Sequence, residues 1–331
     1  MKFSIRLIEY VGKARELVRL AVEAEAAGFD GIWFPHDPFM RSTWPLTVAV
    51  AENTSRIEIG SVGTNPYTTH PSEIATYLAT LDELSQGRAV LGLGLHSTLM
   101  VDWTGQHTRD YLQRTREATE MIRALFRGEV VERHTDCFDW SDQCYLRFKP
   151  YRDAVPILIC PFGDDYLRLS GEIGDGSLPM ITPPESAAVM VPPIRQGAID
   201  AGRDPDALDI AGCGWLSLSA DGKGTGDLLR PMAAYFGPYL EEGALNSAGL
   251  SRADFDNVKG HIEAADYAAA HAAVTPDMFK LGITGRPRDV IARIEALAAN
   301  GVNHVSLGGP LGPDPREAIR LMGEKVLPHF R

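Results

Sequence analysis

The sequence has few cysteines, no long apolar run and no excess of positive charge, and each absence excludes a class of protein. Four cysteines among 331 residues, without the paired spacing of a metal site, favour free thiols in a cytoplasmic protein. No apolar run approaches the roughly 20 residues of a membrane span. The net charge of −12 disfavours nucleic acids and anionic membranes as partners. The cysteines are Cys137, Cys144, Cys160 and Cys213.

The sequence does contain a glycine-rich bend at the end of a strand. Segment 57–71, Ile-Glu-Ile-Gly-Ser-Val-Gly-Thr-Asn-Pro-Tyr-Thr-Thr-His-Pro, predicts a buried strand, a bend and a helix that begins at Pro71. A second strand, Ala89–Gly94, follows that helix. Ligands of parallel α/β proteins bind where strands end, and small residues there let the backbone approach a flat ligand. The alternative is that Gly63 and Asn65 only form a turn.

Strand and helix patterns alternate eight times along the chain. This alternation predicts an α/β protein with the fold of a closed (β/α)8 TIM barrel, and an open doubly wound sheet is the alternative. Two stretches exceed the minimal repeat. We expect 129–153 to be an inserted ribbon and 220–280, which is rich in alanine and aromatic residues, to be a helical insertion over the barrel mouth. Because no linker is evident, we expect one domain over 1–331.

The carboxyl ends of the predicted strands, where a barrel enzyme carries its active site, are poor in metal ligands. His36, Asp37 and His96 could form a site, but no second carboxylate-rich strand end supports them, so we expect no metal. The strand ends lack a Schiff-base lysine, and the chain lacks a Gly-x-Ser-x-Gly elbow. What remains is a wide, apolar, glycine-lined mouth, which suits a flat cofactor that carries the chemistry itself.

Several segments resemble the bacterial luciferase-like superfamily, in particular the methylenetetrahydromethanopterin reductase branch, which uses the deazaflavin coenzyme F420. The resemblance extends over nearly the whole chain. The segments that carry it are Val62-Gly-Thr-Asn-Pro-Tyr67, Ala79-Thr-Leu-Asp-Glu-Leu-Ser-Gln-Gly-Arg88, Leu169-Ser-Gly-Glu-Ile-Gly-Asp-Gly176 and the tail from Gly309 to Pro328.

The resemblance implies where the cofactor binds. It places a bulge with a non-proline cis peptide, at Val62–Gly63 by position, behind the central ring of the deazaflavin. It places the cofactor phosphate in the loop 161–165, where two carboxylates oppose an anion but backbone N–H groups at the helix start can bind it. The cofactor-binding residues that we expect are Val62, Gly63, Thr64, Asn65, Gly94, Pro161, Phe162, Gly163 and Asp164.

The end of the second strand departs from the family pattern. Deazaflavin-dependent relatives often carry Asp-His there, and this chain carries His36-Asp37. We expect His36 nearest the substrate, Asp37 orienting it and His96 as a further catalytic candidate; the alternative is that His36 only caps its loop. The glutamate of the family's sugar-phosphate dehydrogenases would fall near Ser97 and is absent, which argues against that reaction. The expected substrate pocket comprises Trp44, Tyr67, Ser97 and Met180.

The resemblance therefore implies an oxidoreductase that moves a hydride between coenzyme F420 and a small organic substrate, by reducing C=N or C=C or by the reverse reaction. One alternative is a luciferase-like monooxygenase that uses reduced FMN and O₂. A second, of another class, is a non-catalytic flavin-binding protein, and a metal-dependent hydrolase is the outsider. The resemblance also implies a homodimer.

Overall fold

A closed ring of eight parallel strands forms the centre of the protein, whose computed structural model describes residues 1–8, 11–95, 99–240 and 242–331. The strands are β1 (Lys2–Arg6), β2 (Gly31–Pro35), β3 (Glu58–Thr64), β4 (Ala89–Gly94), β5 (Arg133–His134), β6 (Asp139–Trp140), β7 (Ile157–Cys160), β8 (Gly176–Ser177), β9 (Asp209–Leu218), β10 (Gly282–Gly285) and β11 (His304–Leu311). The ring runs β1-β2-β3-β4-β7-β8-β9-β11, and β11 pairs with β1 to close it. The predicted (β/α)8 barrel is confirmed, and the open sheet is excluded.

Helices surround the ring, and those outside segment 220–280 bury apolar side chains against it. They are α1 (Ala14–Ala27), α2 (Thr43–Ala51), α3 (Pro71–Leu84), α4 (Leu99–Asp102), α5 (Tyr111–Phe126), α6 (Asp164–Ile173), α7 (Pro184–Asp200), α8 (Arg230–Phe236), α9 (Glu242–Ser247), α10 (Asp256–Glu263), α11 (Tyr267–Ala273), α12 (Pro287–Ala299) and α13 (Pro315–Leu321). In α1, Leu17, Leu20, Ala21 and Ala24 are buried at helical spacing. Within the described ranges, none of these helices has the length and apolar character needed to cross a membrane.

The third strand ends in a bulge that differs in one respect from the expectation. Between Ser61 and Thr64, β3 carries one more residue than the facing part of β4. The expected non-proline cis peptide at Val62–Gly63 is wrong: that bond is trans, and the cis bond found among the described residues joins Gly309 to Pro310. The bend is made instead by Gly63, whose φ of 75° is open to glycine without steric cost.

Both segments expected as insertions carry structure of their own. Within 129–153, the short strands β5 and β6 pair in antiparallel fashion, and the alternating stretch 144–148 is not a strand. Segment 220–280 contains α8 to α11, and its apolar side chains form one buried cluster with Trp215 of β9 and Ile181. The insertion is thus packed onto the barrel.

The short strand β10 was not expected from the sequence. It pairs with residues 215–218 of β9. One edge of β9 pairs with β11. On the other edge, the two-residue strand β8 pairs only with residues 209–210, so the end of that edge is free to pair with β10. β10 therefore extends the wall of the barrel mouth on this side.

A buried polar chain closes the amino end of the barrel. Trp33 Nε1 donates to Ser4 Oγ, and this oxygen lies 2.7 Å from His304 Nε2. His304 Nδ1 lies 2.7 Å from Asp209 Oδ1, while Lys2 Nζ donates to Oδ2 at 2.9 Å. Because Ser4 and His304 have 0% exposure, this Ser-His-Asp arrangement is closed to any substrate, and it connects β1, β9 and β11.

Candidate active site

Two joined cavities open at the carboxyl ends of the strands. The first has an empty volume of ≈ 1020 Å³ and lies over the ends of β1, β2, β3 and β11. The second has an empty volume of ≈ 920 Å³ and lies beside the loop between β7 and α6. Met180 and Tyr239 line both, so the two cavities adjoin at these side chains, and together they are called the cleft.

The first cavity is lined mainly by apolar and aromatic side chains. Four of them, Met232, Tyr235, Phe236 and Tyr239, come from segment 220–280. Tyr235 and Phe236 contact each other edge to face, with ring centroids 5.0 Å apart. Burial raises the pKa of Tyr235, so its hydroxyl keeps its proton at neutral pH. Such walls accommodate a flat organic group and exclude water around it.

Arg6 and Asp37 are the charged members of this lining among the described residues. Arg6 ends β1, is only 7% exposed, and donates from Nη1 to the carbonyl oxygen of Met180 at 2.8 Å. Asp37 lies in the loop after β2. The floor of an otherwise apolar cavity thus carries one cation and one carboxylate.

His36 lies beside the cavity and does not contribute to its lining. Its Nε2 lies 2.9 Å from Thr69 Oγ1, and its ring is tilted against Trp44 with centroids 5.4 Å apart. Burial lowers the pKa of His36, so the ring is uncharged at neutral pH. The sequence favoured His36 as the group nearest the substrate; the structure places Asp37 in the lining and His36 against Thr69 and Trp44.

At the bend after β3, Val62 faces the cavity, while the polar side chains of the bend form hydrogen bonds inside the bend itself. Val62 lines the first cavity. Thr64 Oγ1 donates to Ser61 Oγ at 2.7 Å. Asn65 Oδ1 accepts from the backbone N–H groups of the residues two and three positions later, at 3.1 and 3.0 Å. Thr64 and Asn65, both expected to bind cofactor, are buried and stabilise the bend on which Val62 lies.

Gly94 ends β4 where the backbone closely approaches Tyr166. Its φ is 130°, and a Cβ at this position would collide with the Tyr166 hydroxyl and the Cys160 carbonyl. The Tyr166 hydroxyl accepts from the Leu95 N–H at 3.3 Å. Gly94 therefore lets α6 pack against β4, which positions the start of α6 at the cleft.

The loop after β7 forms one wall of the second cavity, through Pro161, Phe162, Gly163 and Asp164. α6 begins at Asp164, directly after Gly163, and the space where a Cβ of Gly163 would stand is open. Free N–H groups and the positive end of the helix dipole favour an anion at such a start. Asp164 and Asp165 are exposed, so water screens their charges.

Two residues expected in the substrate pocket make contacts elsewhere. Trp44 stacks on Tyr77 with ring centroids 4.9 Å apart. The Tyr67 hydroxyl donates to Asp110 Oδ1 at 2.5 Å. Neither lines the cleft, whereas Met180, from the same prediction, lines both of its cavities.

His96 and Ser97 lie outside the described residues, so their expected roles stay predictions. Within the described ranges, no group of three or more His, Cys, Asp or Glu side chains is arranged to hold a metal ion.

Sequence reasoning missed Arg6 and Trp215 as site residues. The signal for Arg6 was present: in Lys-Phe-Ser-Ile-Arg, the apolar Phe3 and Ile5 pack under the helices, so Ser4 and Arg6 alternate onto the interior of the barrel. No sequence pattern identified Trp215. This residue lies in the last four residues of β9, which pair with β10, a strand that the sequence did not predict.

Comparison with known proteins identifies the family. The profile of the luciferase-like monooxygenase family matches residues 3–304. The chain belongs to this family. It is 32% identical, over the full length of both chains, to the 5,10-methylenetetrahydromethanopterin reductase of Archaeoglobus fulgidus. It is 31% identical to the enzyme of the same name from Methanolobus tindarius, covering 94% of this chain and 95% of the relative.

The structural comparison agrees with this assignment. The coenzyme F420 dependent tetrahydromethanopterin reductase from Methanopyrus kandleri superposes with a TM-score of 0.93 at 28% sequence identity. The superposition covers 100% of this chain and 99% of the other. The resemblance seen in the sequence is thereby confirmed for the family and for the reductase branch.

Proposed function

We infer that the chain is an oxidoreductase that transfers a hydride between the deazaflavin coenzyme F420 and a small organic substrate. The observation that carries this inference is agreement over the whole chain with reductases, one of them named as coenzyme F420 dependent. When bound, the deazaflavin supplies a ring carbon that gives or accepts the hydride. The protein must then hold the substrate carbon close and supply or remove a proton.

The residues of the cleft fit such a group. Val62 offers a protruding backbone bulge as support for a flat ring, and the surrounding walls are apolar. The start of α6 and the open space at Gly163 suit a phosphate in the second cavity. We propose that Val62 and Gly63 support the ring and that 161–164 bind the phosphate, while Thr64, Asn65 and Gly94 act by holding these backbones in place.

For the proton, we propose Asp37 together with His36 and His96. Asp37 belongs to the same lining as Arg6, the only cation among the described residues of that lining. A carboxylate in a largely apolar cavity is suited to accept or donate a proton next to a reacting carbon. His36, held neutral by burial, would orient the loop that carries Asp37.

Cofactor titration tests the proposal. The protein is titrated with coenzyme F420 and with FMN, following visible absorbance, and we expect tighter binding of F420. Asp164→Asn should strengthen F420 binding only about threefold, since Asp164 is exposed and a water-screened charge contributes less than about 1 kcal/mol. Asp165→Asn, one position further on, is the matched control and should change affinity less.

Reduced F420 is then offered with a panel of C=N and C=C compounds, including methylenetetrahydromethanopterin, and its reoxidation is followed. Turnover of any member supports the proposal. Tight binding of FMN without F420 binding would instead indicate a flavin-dependent monooxygenase, and F420 binding without turnover of any compound would indicate a non-catalytic binding protein.

We also propose that the protein works as a homodimer in the cytoplasm, as the family resemblance implies. Light scattering on the purified protein measures the first property, and a mass of 36.1 kDa would show a monomer. Fractionation of host cells measures the second.

A further inference from the structure

The guanidinium of Arg6 is a buried cation that forms no ion pair with any described residue. Its Nη1 donates to a carbonyl oxygen of Met180, while its Nε is buried and has no hydrogen-bond acceptor. No carboxylate oxygen of the described residues lies within the 4.0 Å of an ion pair with it. Burying a cation without a partner is unfavourable by several kcal/mol. An anion that enters the cavity could supply both the ion pair and the acceptor for Nε.

The surroundings of Arg6 concentrate its charge on the cavity. It lies close enough to the buried thiols of Cys160 and Cys213 for its charge to oppose the rise that burial causes in the pKa of both. Its neighbour on β11 is Gly308, whose missing side chain leaves room beside Nε. These buried thiols screen the cation far less than water does. The Asp37 carboxylate, which also acts on the Cys160 thiol, is the other charge among the described lining residues.

The position of Arg6 separates it from the expected phosphate site. Arg6 lines the first cavity, while Gly163 and Asp164 at the start of α6 line the second. The start of α6 would bind an anionic tail of the cofactor. Arg6 would instead bind an anionic group that enters the first cavity, where the reacting carbons must meet.

We propose that Arg6 is a substrate-binding residue and that the organic substrate carries a carboxylate, which pairs with this guanidinium on the floor of the cleft. The proposal rests on the proposed function for the meaning of substrate, but the anion site itself does not depend on the cofactor. Guanidinium and carboxylate form charge-assisted hydrogen bonds that are roughly twice as strong as neutral ones.

The test uses two probes of the same shape, trans-cinnamate and trans-cinnamamide, titrated by calorimetry at pH 7 into the protein without cofactor. We expect the wild type to bind cinnamate about tenfold or more tightly than cinnamamide. Arg6→Met, which keeps the length of the side chain, should reduce this ratio to about one, and Arg6→Lys should give an intermediate ratio. Arg320→Met, which removes an exposed cation on α13, is the control and should keep the wild-type ratio.

Equal binding of both probes by the wild type, or a preference that survives Arg6→Met, overturns the proposal. If Arg6→Met does not fold, the wild-type ratio and Arg6→Lys still decide.

Two further arms separate other sources of the anion. Asp37→Asn should raise the cinnamate affinity by less than about threefold; a gain of tenfold or more would show that the Asp37 carboxylate already neutralises Arg6 and would overturn the proposal. Cinnamate should still bind when the protein is saturated with F420; displacement by F420 would assign Arg6 to the cofactor and also overturn it. If F420 does not bind but cinnamate is preferred, the proposed function fails and the anion site stands. If F420 binds and cinnamate is not preferred, the proposed function stands and the anion site fails.

Discussion

Adjacent residues in this cleft have different surroundings, and the pair His36 and Asp37 is the clearest case. Asp37 lines the cavity, whereas His36 lies 2.9 Å from Thr69 Oγ1 and carries no charge at neutral pH because burial lowers its pKa. We predict that Asp37→Asn lowers turnover of the best substrate by about 100-fold, the usual loss for a proton-transfer group. His36→Ala should cost about tenfold, since it acts through the position of the loop.

Turnover at saturating F420 and the F420 affinity of each variant are the measurements. Thr69→Val is the control for His36, because it removes only the hydrogen bond of the ring, and we expect a loss smaller than that of His36→Ala. A larger loss in His36→Ala than in Asp37→Asn would return the catalytic role to His36, as the sequence suggested.

Among the elements, β3 determines the shape of the cofactor face, and Gly63 is the residue on which its bulge depends. Both Gly63 and Gly128 have positive φ, 75° and 77°, but Gly128 lies in a loop where an added Cβ would meet nothing. We predict that either change to Ala lowers the free energy of unfolding by about 1–2 kcal/mol, the cost of a left-handed residue with a Cβ. Only Gly63→Ala should also weaken F420 binding, by about tenfold or more.

Urea unfolding and F420 titration of the two variants check this prediction. Equal F420 affinity in both variants would mean that the bulge does not support the ring.

The elements show how far the sequence leads and where it stops. The bounds of β4, Ala89–Gly94, follow from a short apolar run between turn residues, and the structure reproduces them. β10 could not be found, because Gly-Ile-Thr-Gly has no periodicity and becomes a strand only by pairing with the end of β9. The bend at Val62 was predictable from its glycines and the bulge was implied by the family resemblance, but the trans geometry of the Val62–Gly63 bond was not foreseen.

The residues of the site, too, divide into those that the sequence could place and those that it could not. Val62, Met180 and the loop after β7 could be placed from strand ends. The exchange between His36 and Asp37 could not, because a shift of one residue reverses which side chain faces the mouth.

The network at the amino end of the barrel links three elements, β1, β9 and β11, through Asp209. Burial raises the pKa of Asp209, but the neighbouring His304 and Lys2, with their hydrogen bonds, outweigh burial and hold it well below its usual range. The unfolded chain therefore binds the proton at higher pH than the folded one. We predict that Asp209→Asn lowers the free energy of unfolding by about 3 kcal/mol at pH 7, as expected when a buried charge network loses one member.

This difference should be complete above pH ~4, the ordinary pKa of an aspartate, and should shrink as the pH falls further. Urea unfolding between pH 7 and pH 3 measures it. Asp206→Asn, which removes an exposed ion pair with Arg195, should change stability by less than about 1 kcal/mol and serves as the control. A pH-independent difference for Asp209→Asn would show that its charge is not the cause.

At the scale of the whole molecule, barrel and insertion share their interior, so we propose that they unfold as one unit. Phe255 of the insertion is 1% exposed and belongs to the same apolar cluster as Trp215 of β9. We predict that Phe255→Ala destabilises the entire protein by about 4 kcal/mol, the usual cost of removing a buried phenyl ring. Scanning calorimetry should show one transition, lowered by roughly 5–10 °C.

Tyr267→Ala, which removes an exposed ring from the same segment, should move the transition by less than about 2 °C. Two separate transitions, of which Phe255→Ala shifts only one, would show that segment 220–280 folds independently. The aromatic wall it gives the cleft would then open without unfolding of the barrel.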